Sequence, residues 1–294
     1  MKNMLFIINP FSGKMKIKPV MLDILHMYNA AGYNVTVKTT QSQGHAAEIA
    51  YNAPDDTDVI VVSGGDGTLN EVLTGLLKSG RKLPVGYIPA GSTNDFASTF
   101  GFSTEPKIAA QGVLDGREFD IDVGLFNKER YFSYIASFGA FTAASYSTPQ
   151  SVKNVFGHLA YVLEGMKDLT KIKHYDVKVE TDEGTVEGSY IFGSVTNTTS
   201  VGGIVKFSHD IVKMNDGLFE TVLVKRPKNI NDLQKIIGGC ITSNFKEDVF
   251  EFIKSKNVKM TFEAPMDWSL DGEHQKSGNE VIIENIQTAA TIIR

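Results

Sequence analysis

The chain has 294 residues, enough for one large domain or two of ordinary size. With 42% hydrophobic and 21% charged residues it can bury a sizeable core, which excludes a disordered sequence. Its net charge of −5 argues against a generic nucleic-acid binder, and its single cysteine, Cys240, excludes an internal disulfide and a cysteine-cluster metal site.

The apolar run near the N-terminus is too short for a signal peptide or a membrane span, so the expected location is the cytoplasm. Met4 to Ile8 reads as a first buried strand, ending in the turn-rich loop Asn9-Pro10-Phe11-Ser12-Gly13-Lys14. Pro19 suits the first position of a helix that Ile24, Tyr28 and Ala31 continue and Gly32 stops. Tyr33, Val35 and Val37 alternate as a strand ending at Thr39-Thr40, and a second helix is expected from about Gln43 to Ala53.

Asp58 to Val62 is a β-branched apolar run, and Leu69, Val72, Leu73, Leu76 and Leu77 follow at helical spacing up to Gly80. Between them lies Ser63-Gly64-Gly65-Asp66-Gly67-Thr68-Leu69-Asn70-Glu71, at the carboxyl end of a strand, where open α/β sheets bind ligands. Glycines there let the backbone approach an anion, with the positive end of the helix facing it. An aspartate, Asp66, inside a phosphate cradle makes sense when a cation sits between the two. Thr68 and Glu71 stand as a T-x-x-E capping box. The loop is neither a Walker A motif nor a G-x-G-x-x-G fingerprint. A short strand from Val85 to Ile88 then delivers Pro89-Ala90-Gly91-Ser92-Thr93-Asn94-Asp95 to the same rim. This first part alternates as a parallel, doubly wound sheet.

From about Phe119 the pattern changes. Asp120 and Asp122 alternate with Ile121 and Val123, Tyr131 to Phe138 reads as one long strand, and Phe156, Leu159, Val162, Leu163 and Met166 recur at helical spacing. Strands are then expected at 175–179, 189–195, 218–224, 258–262, 281–283 and 291–293, with hairpin signals at Asp182-Glu183-Gly184 and Asn215-Asp216-Gly217. Helices are expected around Asp232 to Gly238 and Lys246 to Ser255. The expectation is a nucleotide-binding α/β domain over 1–125 and a β-rich, mostly antiparallel sandwich domain over 126–294, with the active site in the cleft between them.

Four motifs stand in order: Asn9-Pro-x-Ser-Gly-Lys14, Gly64-Gly-Asp-Gly-Thr-Leu-Asn-Glu71, Pro89-x-Gly-Ser-x-Asn-Asp-Phe96 and Asp271-Gly-Glu273. Together they resemble the bacterial diacylglycerol kinase family of soluble lipid kinases, related to sphingosine kinases and to the NAD kinase fold. The resemblance implies ATP- and Mg²⁺-dependent phosphorylation of a lipid hydroxyl, most simply diacylglycerol to phosphatidic acid. It implies nucleotide contacts from Asn9, Pro10, Ser12, Gly13, Thr40, Gly64, Gly65, Gly67, Thr68, Asn70, Glu71, Ser92 and Asn94. Ser92 stands where the family more often has threonine. The resemblance makes Glu273 the catalytic base with Asp271 beside it, and sets Asp66 near Mg²⁺–ATP. It further implies a structural Mg²⁺ on the Asp216 carboxylate and the carbonyls of Lys213 and Leu218. The implied partners are ATP, a lipid alcohol and, transiently, the inner membrane surface, with no nucleic acid; a homodimer is left open.

Blander readings stand beside these. Glu273 and Asp216 also fit ordinary hairpin turns, Asn94 and Asp95 fit a helix start, and Asp122 fits a solvent-facing strand position. Lys14 either meets a phosphate or is solvated. The stretch from Val155 to Met166, flanked by Lys153, Lys167, Lys171 and Lys173, reads as a packed helix or as a lip touching anionic lipid. An NAD-kinase-like activity and a catalytically silent nucleotide or lipid sensor are the competing functions.

Overall fold

The structure is a computed structural model that describes residues 1–13, 16–91, 94–139, 172–197, 200–201, 205–206, 213–242 and 244–294. Lys14, Ser92 and the stretch 153–171, with its expected helix, lie outside the described residues. The chain divides into two compact units: Met1–Asp122 with Thr288–Arg294, and Val123–Gln287.

In the first unit β1 (Lys2–Ile8), β2 (Tyr33–Thr39), β3 (Val59–Gly64) and β4 (Pro84–Pro89) pair in parallel in the order β2-β1-β3-β4. Residues 4–8 of β1 and all of β3 are buried. A parallel strand covered on both faces has no polar side to show, which is why these segments read as unbroken apolar runs. Met4, Phe6, Ile8, Val59, Val61 and Ile88 pack against α1 (Met21–Ala30) and α5 (Pro106–Asp115) through Ile24, Tyr28, Ala110 and Val113. Helix α2 (His45–Tyr51) crosses α3 (Asp66–Ser79) so closely that a Cβ on Gly75 would lie 2.2 Å from the Ala47 carbonyl oxygen. Helix α3 ends on Gly80 at φ 71°, where only a glycine is unstrained. Helix α4 (Asp95–Phe100) follows β4. Helix α5, started by Pro106, answers to no expected element, because two of its four buried residues are alanines and the face lacks a run of large apolar side chains.

Strand β5 (Glu118–Phe126) carries the chain into the second unit. There β6 (Arg130–Phe132), β7 (Ile135–Gly139), β8 (Tyr175–Thr181), β9 (Gly184–Thr196), β12 (Phe219–Lys225), β13 (Phe250–Ser255), β14 (Asn257–Phe262), β15 (Asp267–Leu270) and β16 (Glu273–Lys276) make antiparallel pairs. A two-stranded pair, β10 (Ser200–Val201) with β11 (Val205–Lys206), and helix α6 (Ile230–Thr242) complete it. The lone tryptophan, Trp268, is fully buried, with ring centroids 5.3 Å from Phe126 and 5.1 Å from Phe138. The expected fold class, a parallel α/β half followed by an antiparallel half with a few helices, is the one adopted. Among the described residues no helix is long and apolar enough to cross a membrane.

Three element expectations are corrected. Lys246 to Ser255 is not a helix: 250–255 is β13, paired antiparallel with β12, because Phe250 and Phe252 are set at strand spacing. The expected strand 131–138 breaks at Ser133-Tyr134, where three successive N–H groups turn to one carboxylate instead of a neighbouring strand. The expected strands at 281–283 and 291–293 are one strand, β17 (Glu280–Ile293).

Candidate active site

In the first unit, three strand ends converge. Asn9, just past β1, donates from Nδ2 to Thr68 Oγ1 (3.0 Å) and accepts the Phe11 N–H on Oδ1 (2.9 Å), which shapes the loop as an Asx turn. Ser12 Oγ accepts the N–H of Gly65 (2.9 Å). The N–H of Ala90, after β4, donates to the Gly64 carbonyl at 2.7 Å. A Cβ on Gly13 would lie 2.1 Å from the Ala90 oxygen, and one on Gly91 would lie 2.7 Å from the Gly65 Cα. A side chain at Gly13 or Gly91 is sterically excluded, so at those positions the loops present backbone. Their meeting point is the start of α3, whose first-turn N–H groups have no acceptor inside the helix.

Helix α3 begins at Asp66 with Gly65 as its N-cap and no side-chain cap. The expected Thr68–Glu71 capping box does not form. Glu71 instead accepts the N–H groups of Gly44 (2.8 Å) and Ala46 (3.1 Å), so its carboxylate caps α2. Gly67 and Thr68 sit in the first turn of α3, with Thr68 buried; Asn70 follows half-buried. Thr40 is buried beyond β2, with its N–H on the Ile8 carbonyl. Asn94, at φ 54°, is 8% exposed and donates to the Gly91 carbonyl (3.0 Å), while its Oδ1 has no partner among the described residues.

The Asp66 carboxylate meets a donor at each oxygen. Oδ2 accepts the Asp95 N–H (2.8 Å) and Oδ1 faces the Tyr87 hydroxyl (3.2 Å). Burial raises its carboxyl above the usual range, against the lowering effect of N–H donors from Asp95 and Phe96 and of the Tyr87 O–H. Burial and the Asp66 charge together push the Tyr87 hydroxyl well above an ordinary tyrosine, so it keeps its proton. Tyr87 escaped the sequence reading because it sits inside a strand and looks like core.

In the second unit, Asp271 (φ 49°) and Gly272 (φ 84°) form the two-residue turn of the β15–β16 hairpin. The Asp271 carboxylate accepts the N–H groups of Ser133 (2.6 Å), Tyr134 (3.0 Å) and Ile135 (3.0 Å) and the Ser133 hydroxyl (2.9 Å). Burial nonetheless pushes its carboxyl up to about 6. Glu273 is partly exposed, with Arg130 Nη2 at 2.5 Å from Oε2; the same guanidinium donates to Gln275 Oε1 (3.0 Å).

Asp216 accepts the Leu218 N–H on Oδ1 (3.2 Å) in a turn completed by Gly217 at φ 78°. Lys213 is described just upstream. Nearby Glu220 is fully buried, paired with Lys254 (3.0 Å) and pushed up to about 7 by burial, with the Asp216 charge adding to the rise. Among the described residues no three His, Cys, Asp or Glu side chains cluster as a metal site. A cation at Asp216 would therefore rely on carbonyls and water. Asp122 is fully buried and accepts the Thr288 N–H at 2.7 Å.

Residues 3–126 match the family model for the diacylglycerol kinase catalytic domain. The chain is 33% identical over 276 residues to a diacylglycerol kinase of Bacillus subtilis (strain 168), covering 93% of this chain and 90% of that one. It is 31% identical over 270 residues to one of Staphylococcus epidermidis (strain ATCC 12228 / FDA PCI 1200), covering 91% and 84%. A crystal structure of a diacylglycerol kinase from Bacillus anthracis str. Sterne superposes with a TM-score of 0.77 at 24% identity, over 99% of this chain and 96% of that one, a likeness of fold. The chain belongs to the diacylglycerol kinase family and is a lipid kinase, a phosphotransferase with an alcohol acceptor.

Proposed function

We propose that the protein transfers the γ-phosphoryl group of ATP to the free hydroxyl of diacylglycerol, giving phosphatidic acid, with Mg²⁺ as its metal. The observation that carries this reading is the backbone cradle at the start of α3, where neither Gly13 nor Gly91 has room for a side chain. Phosphoryl transfer asks mainly for positioning and for charge stabilisation on the equatorial oxygens, and backbone N–H groups held in place supply both.

In this reading Asn9, Pro10, Ser12 and Gly13 form one wall of the nucleotide site. Gly64, Gly65, Gly67 and Thr68 form its floor, and Thr40 and Asn94 its rim. Glu71 and Asn70 act from behind, through the α2–α3 packing. Asp66 fits a site for Mg²⁺–ATP because it is a half-buried acid held by neutral donors, the Asp95 and Phe96 N–H groups and the Tyr87 hydroxyl. When bound, the metal neutralises charge on the phosphate oxygens. Glu273 takes the proton of the lipid hydroxyl, which is a poor nucleophile while protonated. Asp271 ties the backbone of 133–135 to the hairpin that carries Glu273. Asp216, with the carbonyls of Lys213 and Leu218, holds a structural Mg²⁺; the charge it adds beside buried Glu220 is what such a cation would relieve. Since the acceptor is dissolved in a bilayer, the reading includes transient contact with a membrane face.

The test offers purified protein, Mg²⁺ and labelled ATP to diacylglycerol micelles, phosphatidylglycerol, a sphingoid base and NAD. Label in diacylglycerol is expected. Label in NAD alone overturns the lipid reading, and no transfer to any acceptor favours a silent sensor.

A further inference from the structure

Tyr87 lies in the middle of β4, opposite Val62 of β3, and is 1% exposed. Its ring is packed edge-on against Phe96 (6.1 Å) and Phe102 (6.2 Å), contacts a phenylalanine would make equally well. The hydroxyl is what distinguishes it. Burying a hydroxyl without a partner is costly, so the oxygen has to find an acceptor. Two acceptors stand 3.2 Å away, the Gly64 carbonyl and Asp66 Oδ1. One phenol has one proton. The Gly64 carbonyl already accepts the Ala90 N–H at 2.7 Å, and a carboxylate is the stronger acceptor, so the proton belongs to Asp66.

With Asp95 N–H on Oδ2, both Asp66 oxygens are then held and the carboxylate cannot rotate. The charged groups around this contact are Asp66 itself and Asp95, both acidic, and they keep the phenol a donor. We propose that Tyr87 is a positioning residue: its hydroxyl fixes the Asp66 carboxylate in the orientation from which it serves a metal-bound nucleotide phosphate. This rests on the role given to Asp66 above, and it adds a residue of the strand interior to that site.

The discriminating variant is Tyr87→Phe, which keeps the ring and removes one hydrogen bond to a charged group. Affinity for ADP is measured by calorimetry with MgCl₂ and, separately, in EDTA. Turnover and KM for ATP are measured with diacylglycerol micelles, and the ligand-free melting temperature with neither. We expect Mg²⁺–ADP to bind ~10-fold more weakly, in line with losing a charged hydrogen bond, and metal-free ADP to bind within about twofold of the parent. Turnover should fall by a similar factor while the melting temperature moves by a few degrees at most.

A Tyr87→Phe protein with unchanged Mg²⁺–ADP affinity and turnover would overturn the proposal, as would equal weakening in MgCl₂ and EDTA, which is what general loosening of the fold would give. Asp66→Asn, run alongside, separates the two levels. If it abolishes turnover while Tyr87→Phe does nothing, only the Tyr87 inference falls. If Asp66→Asn itself leaves metal-dependent binding and turnover intact, the role of Asp66 falls and the inference with it.

Discussion

The guanidinium of Arg130 sits 2.5 Å from Oε2 of Glu273 and holds the neighbouring Gln275 side chain with its other nitrogen. A carboxylate oxygen held by one guanidinium N–H has a defined direction, which is what a proton acceptor needs. Glu273→Gln should leave ATP affinity nearly intact and lower turnover by ~100-fold, the scale for losing a general base. Arg130→Met should lower turnover by a smaller factor with the same nucleotide affinity. Steady-state kinetics with diacylglycerol micelles checks both; full turnover in the Gln variant would remove Glu273 from the mechanism.

Gly91 and Gly80 make a matched pair. A methyl on Gly91 would meet the Gly65 Cα at 2.7 Å and Asn94 Oδ1 at 2.8 Å, whereas one on Gly80 meets nothing within 4 Å. Gly91→Ala should therefore spread the cradle and weaken ATP binding, by ~10-fold or more for even a ~1.4 kcal/mol misfit. Gly80→Ala should cost about 1 kcal/mol of stability through its left-handed backbone and leave turnover alone. Calorimetry with ATP and urea unfolding of the two proteins give the comparison, and equal ATP affinity in both would count against the cradle.

Asp271 collects three backbone N–H groups and a hydroxyl, so its replacement by Asn turns an amide NH₂ toward donors. A loss of about 3 kcal/mol or more is expected from leaving such buried donors unpaired. Trp268, three residues away and buried in the same unit, reports the unfolding by fluorescence. A urea midpoint unchanged in Asp271→Asn would show that this cluster does not hold the hairpin.

Glu220 makes the stability pH-dependent. Its carboxyl is pushed up to about 7 in the fold, from an ordinary value near 4.5, so the folded state prefers it protonated. The stability this gives is complete below the unfolded value and lost as pH rises through about 7. Between pH 5 and 8 the parent should lose stability relative to Glu220→Gln, whose side chain cannot ionise. Urea midpoints at both ends of that range test it; parallel profiles would mean that Glu220 does not titrate there.

Asp216→Ala speaks to the same corner of the unit. Melting curves with and without Mg²⁺ should differ for the parent and coincide for the variant. Parent curves that already coincide would remove the cation site.

Much of the first unit could be read from its residues because its constraints are local. Strands buried on both faces are unbroken apolar runs, and a backbone cradle requires glycines where Gly13 and Gly91 stand. What escaped reading depends on residues far apart in the chain. Glu71 caps α2 across a gap that no capping motif spans, so the nearby Thr68 made a plausible but wrong partner. The break at Ser133-Tyr134 is dictated by a carboxylate 138 positions away at Asp271. Residues 250–255 hold enough long side chains to pass for a helix until β12 supplies the pairing. Tyr87 needed the position of Asp66 before its hydroxyl meant anything.

Strand β17 leaves the second unit and finishes in the first, where Thr291 and Ile292 pair with Pro84 and Val85 of β4 and Arg294 exchanges two backbone hydrogen bonds with Arg117. At the crossing Thr288 takes φ 50°, and Asp122 holds its N–H. During synthesis the ribosome therefore releases four strands of this sheet early and the fifth only after the second unit. Until then the edge of β4 stays unpaired, an open template for other strands. A nascent chain of this protein has a long interval in which its first unit exists without its last strand, and a chaperone that shields exposed sheet edges would act in that interval.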